Sequence, residues 1–131
     1  MNCDDQVTFA HDPRRFYVTL GTGGKTFLVE GDLSARQLRV IAEGVECPSL
    51  SPDDTRIAFK RRETGGASGR FAWHIAVLEL ATGRITVLKG ETRSVDDQVE
   101  WNDSSEILYG MPVDSQRSAA ETDVWAIAAD D

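Results

Sequence analysis

Asp96-Asp97-Gln98-Val99-Glu100-Trp101 repeats, with one polar change and one aromatic exchange, the stretch Asp4-Asp5-Gln6-Val7-Thr8-Phe9. The two copies lie 92 residues apart, which is two periods of 46. Between them stands Glu46-Cys47-Pro48-Ser49-Leu50, where Leu50 takes the place of Phe9 and Trp101. These three apolar residues are the anchors of three units. The steps between them, 41 and 51 residues, differ by what loop insertions would add.

Each anchor is followed by a polar turn: Ala10-His11-Asp12-Pro13, Ser51-Pro52-Asp53-Asp54 and Asn102-Asp103-Ser104-Ser105. Pro, Asp, Asn and Ser cluster where a chain reverses tightly between strands. A β-rich run comes next in every unit: Phe16–Leu20, Ile57–Phe59 and Ile107–Tyr109. Third runs follow at Thr26–Val29, Ile75–Leu78 and Val124–Ile127, and fourth runs at Leu38–Ile41 and Ile85–Leu88 in the first two units only. No useful stretch has the 3.6-residue apolar spacing of an amphipathic helix. Short antiparallel strands in fours, repeating at about 45 residues, predict an all-β fold of propeller blades. A two-sheet sandwich would lack the sequence echo. The reading is one partial-propeller domain over residues 1–131, with blade 1 at about 4–44, blade 2 at about 45–90 and an incomplete blade 3 at about 95–131.

Blades bury their faces against neighbouring blades, so matched apolar positions are expected in the core. Phe9, Phe27, Leu50, Val77, Trp101 and Trp125 are expected between blades, and Leu50, Ile57, Phe59, Val77, Leu78, Trp101, Leu108 and Trp125 are expected to be mostly buried.

The run Pro48-Ser49-Leu50-Ser51-Pro52-Asp53-Asp54-Thr55-Arg56-Ile57-Ala58-Phe59 resembles the signature of TolB-like, WD-related propellers, roughly P-x-W-S-P-D-G-x-x-I-A-F. It departs at Leu50, where Trp is usual, and at Asp54, where Gly is usual; Asp tolerates the left-handed conformation such a turn demands better than most residues. Asp123-Val124-Trp125-Ala126-Ile127-Ala128-Ala129-Asp130-Asp131 is similar to the third-strand pattern D-I-W-V-x-D-x-D-G. The resemblance is strong over residues 46–131 and weaker over 1–45, and within the family it is nearest to the last blades of actinobacterial TolB-like proteins. It implies a binding or scaffolding module, since such propellers occur in envelope translocation components, in non-catalytic parts of peptidases and in extracytoplasmic bacterial proteins. A family propeller has six or more blades behind a signal peptide. Met1–Asp5 has neither a basic region nor an apolar one, so the chain as written reads as unexported and cytoplasmic, against the extracytoplasmic site the resemblance implies.

Apolar residues make up 40% and charged residues 27%, a globular balance. Twenty-two acidic against 14 basic side chains give a net charge of −8, which repels nucleic acid and anionic lipid, and no apolar stretch is long enough for a membrane span. Lys60-Arg61-Arg62 reads as a solvated strand end. Cys3 and Cys47 permit one disulfide across neighbouring strands, but two reduced thiols are the favoured expectation. There is no Cys-x-x-Cys pair and the two histidines are far apart, so no zinc site is indicated.

Four positions before each anchor stands an acid: Asp5, Glu46 and Asp97, reinforced by Asp4 and Asp96. On first strands these could form an acidic rim around the propeller axis, suited to calcium or to a cationic peptide. Beyond that rim no cofactor is expected. His11 beside Asp12 and His74 beside Trp73 read as surface histidines, because no nucleophile stands near either. Gly21-Thr22-Gly23-Gly24-Lys25-Thr26 lacks phosphate-loop spacing and reads as a hairpin turn, and Gly65-Gly66-Ala67-Ser68-Gly69 reads as a hairpin loop. The expected function is non-catalytic binding of a protein, peptide or ligand. The alternative is a hydrolase or lyase using rim carboxylates and a metal, although the chain has no G-x-S-x-G elbow. Two chains of three blades could pair as a homodimer and close a ring of six.

Overall fold

The computed structural model describes residues 6–64, 71–113 and 122–130. These fold into eleven strands and no helix. In chain order they are β1 (Val7–Phe9), β2 (Arg15–Thr22), β3 (Lys25–Asp32), β4 (Gln37–Glu43), β5 (Val45–Leu50), β6 (Arg56–Thr64), β7 (Phe71–Glu79), β8 (Ile85–Val87), β9 (Val99–Trp101), β10 (Glu106–Pro112) and β11 (Thr122–Ala128). Three antiparallel sheets result, each a meander with strands side by side in sequence order: β1 to β4, β5 to β8, and β9 to β11. They are blades 1, 2 and 3, and the third has three strands.

Turn chemistry explains why the strands reverse where they do. Gly23 and Gly24, with φ of 60° and 75°, close the two-residue turn between the paired Thr22 and Lys25; positive φ at both positions matches the twist of the flanking strands. At the turn after each anchor an aspartate gathers backbone N–H groups. Asp12 accepts from Arg14, Asp53 from Thr55, and Asp103 from Ser105 and Glu106. Asp54 has a φ of 59°, the left-handed conformation anticipated where the signature has Gly.

Strand alternation sends the anchor of each blade, with every second residue after it, to one face, here called the anchor face. The opposite residues make the second face. Blade 2 packs its anchor face (Ile57, Phe59, Ala76, Leu78) on the second face of blade 1 (Tyr17, Leu28). Blade 3 packs its own (Val99, Ile107, Tyr109, Met111, Ile127) on the second face of blade 2 (Ala58, Ile75, Val77). The core therefore lies in two junctions of one construction, and the buried set Ile57, Phe59, Val77 and Leu78 falls as the repeat predicts.

Other matched residues do not. Phe9 is 58% exposed and Trp125 45%, and Phe27 and Leu108 are half-buried; Leu50 and Trp101 are also half-buried but pack against the two junction cores, between blades as expected. Phe9 and Phe27 lie on the anchor face of blade 1, which no other described blade covers. Trp125 sits in β11, the outer edge strand of blade 3, where its ring packs under the Arg93 guanidinium, 4.5 Å from the ring centre. Leu108 belongs to the second face of blade 3, which no other described blade covers.

Candidate functional site

The first strands β1, β5 and β9 lie next to one another and are laced by side chains one position before each anchor: Thr8, Ser49 and Glu100. Thr8 Oγ1 accepts the Leu50 N–H at 3.4 Å. Ser49 Oγ donates to Glu100 at 2.9 Å, and its carbonyl accepts the Trp101 indole N–H at 2.8 Å. Gln6 of the first unit reaches Glu100 of the third at 3.4 Å, and Gln98 donates to the same carboxylate. Glu100 is thus an exposed carboxylate where side chains of all three inner strands meet. The sequence carried a signal for it, since the residue before the anchor is polar in every unit.

The acids four positions before the anchors are arranged differently. Asp5 lies outside the described residues. Glu46 is mostly buried and sits 3.8 Å from Lys60 Nζ, its register partner on β6. The same ammonium donates to Asp96 at 3.0 Å and stands 4.6 Å from the centre of the Trp73 ring. Asp97 accepts the Gln98 N–H, and its other oxygen covers the α-carbon of Gly110, where a Cβ would come within 2.7 Å. The cation beside Glu46 is therefore the protein's own. Among the described residues no three His, Cys, Asp or Glu side chains are grouped so as to hold a metal ion.

Lys60 also corrects the reading of Lys60-Arg61-Arg62 as a solvated strand end. Strand β6 runs on to Thr64, and Lys60 is fully buried on the second face of blade 2. A buried ammonium requires compensating charge and hydrogen bonds, which Glu46 and Asp96 supply.

Cys47 corrects the expectation of reduced thiols: it is fully buried and disulfide-bonded, and no cysteine among the described residues is free. Cys3, the chain's other cysteine, lies outside the described residues. Cys47 occupies a register slip of β5 with a φ of 53°, a conformation uncommon for a residue with a side chain.

His11 is a surface group, as expected, whereas His74 is mostly buried, its side chain 22% exposed. His11 is bound to Asp54 by its backbone N–H at 3.0 Å and by Nδ1 at 2.9 Å, which ties the turn of blade 1 to that of blade 2. His74 Nε2 stands 3.7 Å from Glu63. The turn Gly21–Thr26 is a hairpin; the loop 65–69 lies outside the described residues.

A second polar cluster ties the segment before blade 3 to that blade. Glu91, buried, receives two guanidinium hydrogen bonds and a backbone N–H from Arg93, and the Tyr109 hydroxyl at 2.6 Å. The Arg93 bonds hold its carboxyl down to about 2, against the opposing effect of burial, and burial with Glu91 pushes Tyr109 up to about 12. Every strong donor and acceptor here is occupied, so the cluster is a clamp rather than a reactive site.

The remaining feature is an uncovered surface. On the anchor face of blade 1, Val7, Phe9, Phe16, Val18, Leu20, Phe27, Val29, Leu38 and Val40 stand in cross-strand register. Leu38 is 72% exposed and Val40 57%. The Phe16 ring lies flat on Gly31, where a Cβ would come within 2.2 Å of it. Phe9 packs on Phe16 with ring centres 5.9 Å apart.

In overall shape the chain superposes on part of TolB from Acinetobacter baumannii with a TM-score of 0.71 at 16% identity, covering 93% of this chain and 29% of that one. The resemblance is to TolB-like propeller blades. The propeller domain of the Trilobed protease from Pyrococcus furiosus, described as having an open velcro topology, gives a TM-score of 0.58 at 19% identity over 88% of this chain and 36% of that one. An acylaminoacyl peptidase from Pyrococcus horikoshii gives 0.63 at 16% identity over 99% and 24%. The chain spans well under half of each of these proteins. At such identities the likeness carries the fold alone. No family profile matches the chain, and no curated protein matches it in sequence.

Proposed function

We propose that the chain is a non-catalytic TolB-like propeller module, acting as one unit, whose task is to bind a protein or peptide partner. The observation that supports this most is the anchor face of blade 1, where Val7, Phe9, Leu20, Leu38 and Val40 are exposed around the buried Val29. Soluble chains seldom expose such a patch unless something docks on it. A catalytic role would call for a nucleophile beside a base or for clustered carboxylates. Among the described residues His11 is engaged by Asp54, while Glu46 and Asp96 share Lys60. The disulfide at Cys47 supports work in an oxidising, extracytoplasmic compartment.

Titration of the dilute native chain with anilinonaphthalene sulfonate tests the reading. Binding several-fold stronger than to a Phe9→Asp, Leu38→Asp double variant is expected. Equal binding by the two would overturn it.

A further inference from the structure

Both junctions leave a cleft at the same rim, the one that carries the turns after the anchors. Between blades 2 and 3 it measures about 300 Å³ and is edged by Arg56, Val77, Thr86 and Ala129. Between blades 1 and 2 it is larger. A space of about 510 Å³ over Arg15, Tyr17 and Glu30 shares Glu30, Arg39, Leu80 and Ala81 with a second of about 330 Å³, which runs on against Ile41 and Leu78. Sites for small ligands run from about 300 to 1,000 Å³. Blade 1 supplies one wall and blade 2 the other.

The repeat shows what is unusual here. Across blade 2 the row Ala58, Val77, Thr86 stands in cross-strand register, and blade 3 matches it with Leu108 and Ala126. Blade 1 has Tyr17, Glu30 and Arg39 in that row. Polar side chains thus replace a mainly apolar set at a packed junction, and departures from a local rule concentrate at functional positions. Glu30 accepts from the Tyr17 hydroxyl at 3.1 Å and from the Arg39 guanidinium at 3.0 Å. Burial, with Glu30 alongside, pushes the Tyr17 hydroxyl up to about 12, so it remains a donor at neutral pH.

Hydrogen-bond capacity says what the cleft lacks. Its carboxylates are served: Glu30 as above, Asp12 by the backbone and guanidinium of Arg14, and Asp54 by the N–H and ring of His11. Its donors are not. Arg15 stands 4.0 Å from Glu30, beyond hydrogen-bond length, and Arg39 gives Glu30 one N–H of the five that a guanidinium carries. The two side chains are 51% and 72% exposed. In the other cleft the matching Arg56 is engaged, by Asp130 and the Ser104 carbonyl, over the Trp101 ring. What the first cleft can still take is an acceptor, and apolar Ile41, Leu78 and Leu80 border the same space as Arg39.

We propose that this cleft binds the C-terminal end of a peptide whose last side chain is apolar. Arg15 and Arg39 take its carboxylate, and the wall of Ile41, Leu78 and Leu80 takes the side chain. A terminal residue fits because it carries the charge and the apolar group on one α-carbon, as the cleft sets guanidinium and wall around one small space. The site faces blade 2, on the opposite side of the sheet from the open blade 1 face, so the proposal goes beyond the binding reading above.

Fluorescence anisotropy tests it with a fluorescein-labelled tripeptide ending in leucine, taken once with a free C-terminal carboxylate and once as the C-terminal amide. The free acid should bind saturably, and the amide about tenfold or more weakly, because charged hydrogen bonds are lost. Arg15→Gln and Arg39→Gln should each weaken the free acid about tenfold, and the double variant should lose the preference for acid over amide. Both side chains are exposed, and circular dichroism checks that the variants stay folded. Arg84→Gln, beside the other cleft, and Phe9→Asp, on the open face, should leave binding unchanged.

No saturable binding of the free acid, or equal binding of acid and amide, would overturn the proposal. So would a peptide amide with an internal glutamate that binds as tightly as the free acid, since the site would then take side-chain carboxylates. If Phe9→Asp abolishes binding while the arginine variants keep it, the cleft is excluded and the binding reading survives on the open face.

Discussion

Phe59 of blade 2 and Val18 of blade 1 hold the same place in the repeat, as do Leu50 and Phe9, yet one blade's anchor face is sealed and the other's faces water. The two faces are about equally apolar. What differs is the neighbour: Tyr17 and Leu28 cover the first, and no described residue covers the second. Burial in a repeat fold is a property of the junction, not of the strand that contributes to it.

The comparison breaks first at its largest effect. Phe59→Ala should cost about 3–5 kcal/mol, through lost transfer energy and the cavity left behind, whereas Phe9→Ala in the dilute chain should cost below about 0.5 kcal/mol. Urea unfolding measures both, and similar losses would mean that the faces are equally covered.

Lys60→Ala should cost about 3 kcal/mol, because it removes the cation from two carboxylates at a buried site linking blade 2 to the approach of blade 3. Lys25→Ala, which removes the cation of an exposed pair with Glu43, should change stability by less than about 1 kcal/mol. Urea midpoints that match for these two would remove the ammonium from its bridging role.

The Glu91 clamp sharpens the contrast in acid. Its carboxyl is depressed from 4.5 to about 2 in the folded chain, so its stabilisation is complete above pH 4.5 and is lost as pH falls toward 2. After solvent screening the loss is on the order of 1–2 kcal/mol, and Glu91→Gln should flatten that part of the stability profile. A variant with the parent's acid slope would show the clamp to be inert.

The fold was legible because anchor, turn and strand recur together. Phe9, Leu50 and Trp101 announce first strands, and the aspartates after them announce reversals for a local reason, the capture of backbone N–H groups, which needs no tertiary information. The candidate site was less legible. The column Asp5, Glu46, Asp97 attracts notice as charge, but Lys60 looks like the solvated end of an apolar strand, and only the pairing of β5 with β6 brings its ammonium beside Glu46. Thr8, Ser49 and Glu100 share a polar character too ordinary to stand out. The exposure of Phe9 and Trp125 depends on which blades lie beside them, and a repeat pattern read along one strand holds no record of that.

The most direct test of the account compares the two anchor faces in one sample. Hydroxyl-radical footprinting of the dilute chain, read by mass spectrometry, should label Phe9, Leu38 and Val40 readily and leave Ile57 and Phe59 protected. Equal protection of Phe9 and Phe59 in dilute solution would contradict an open blade 1 face.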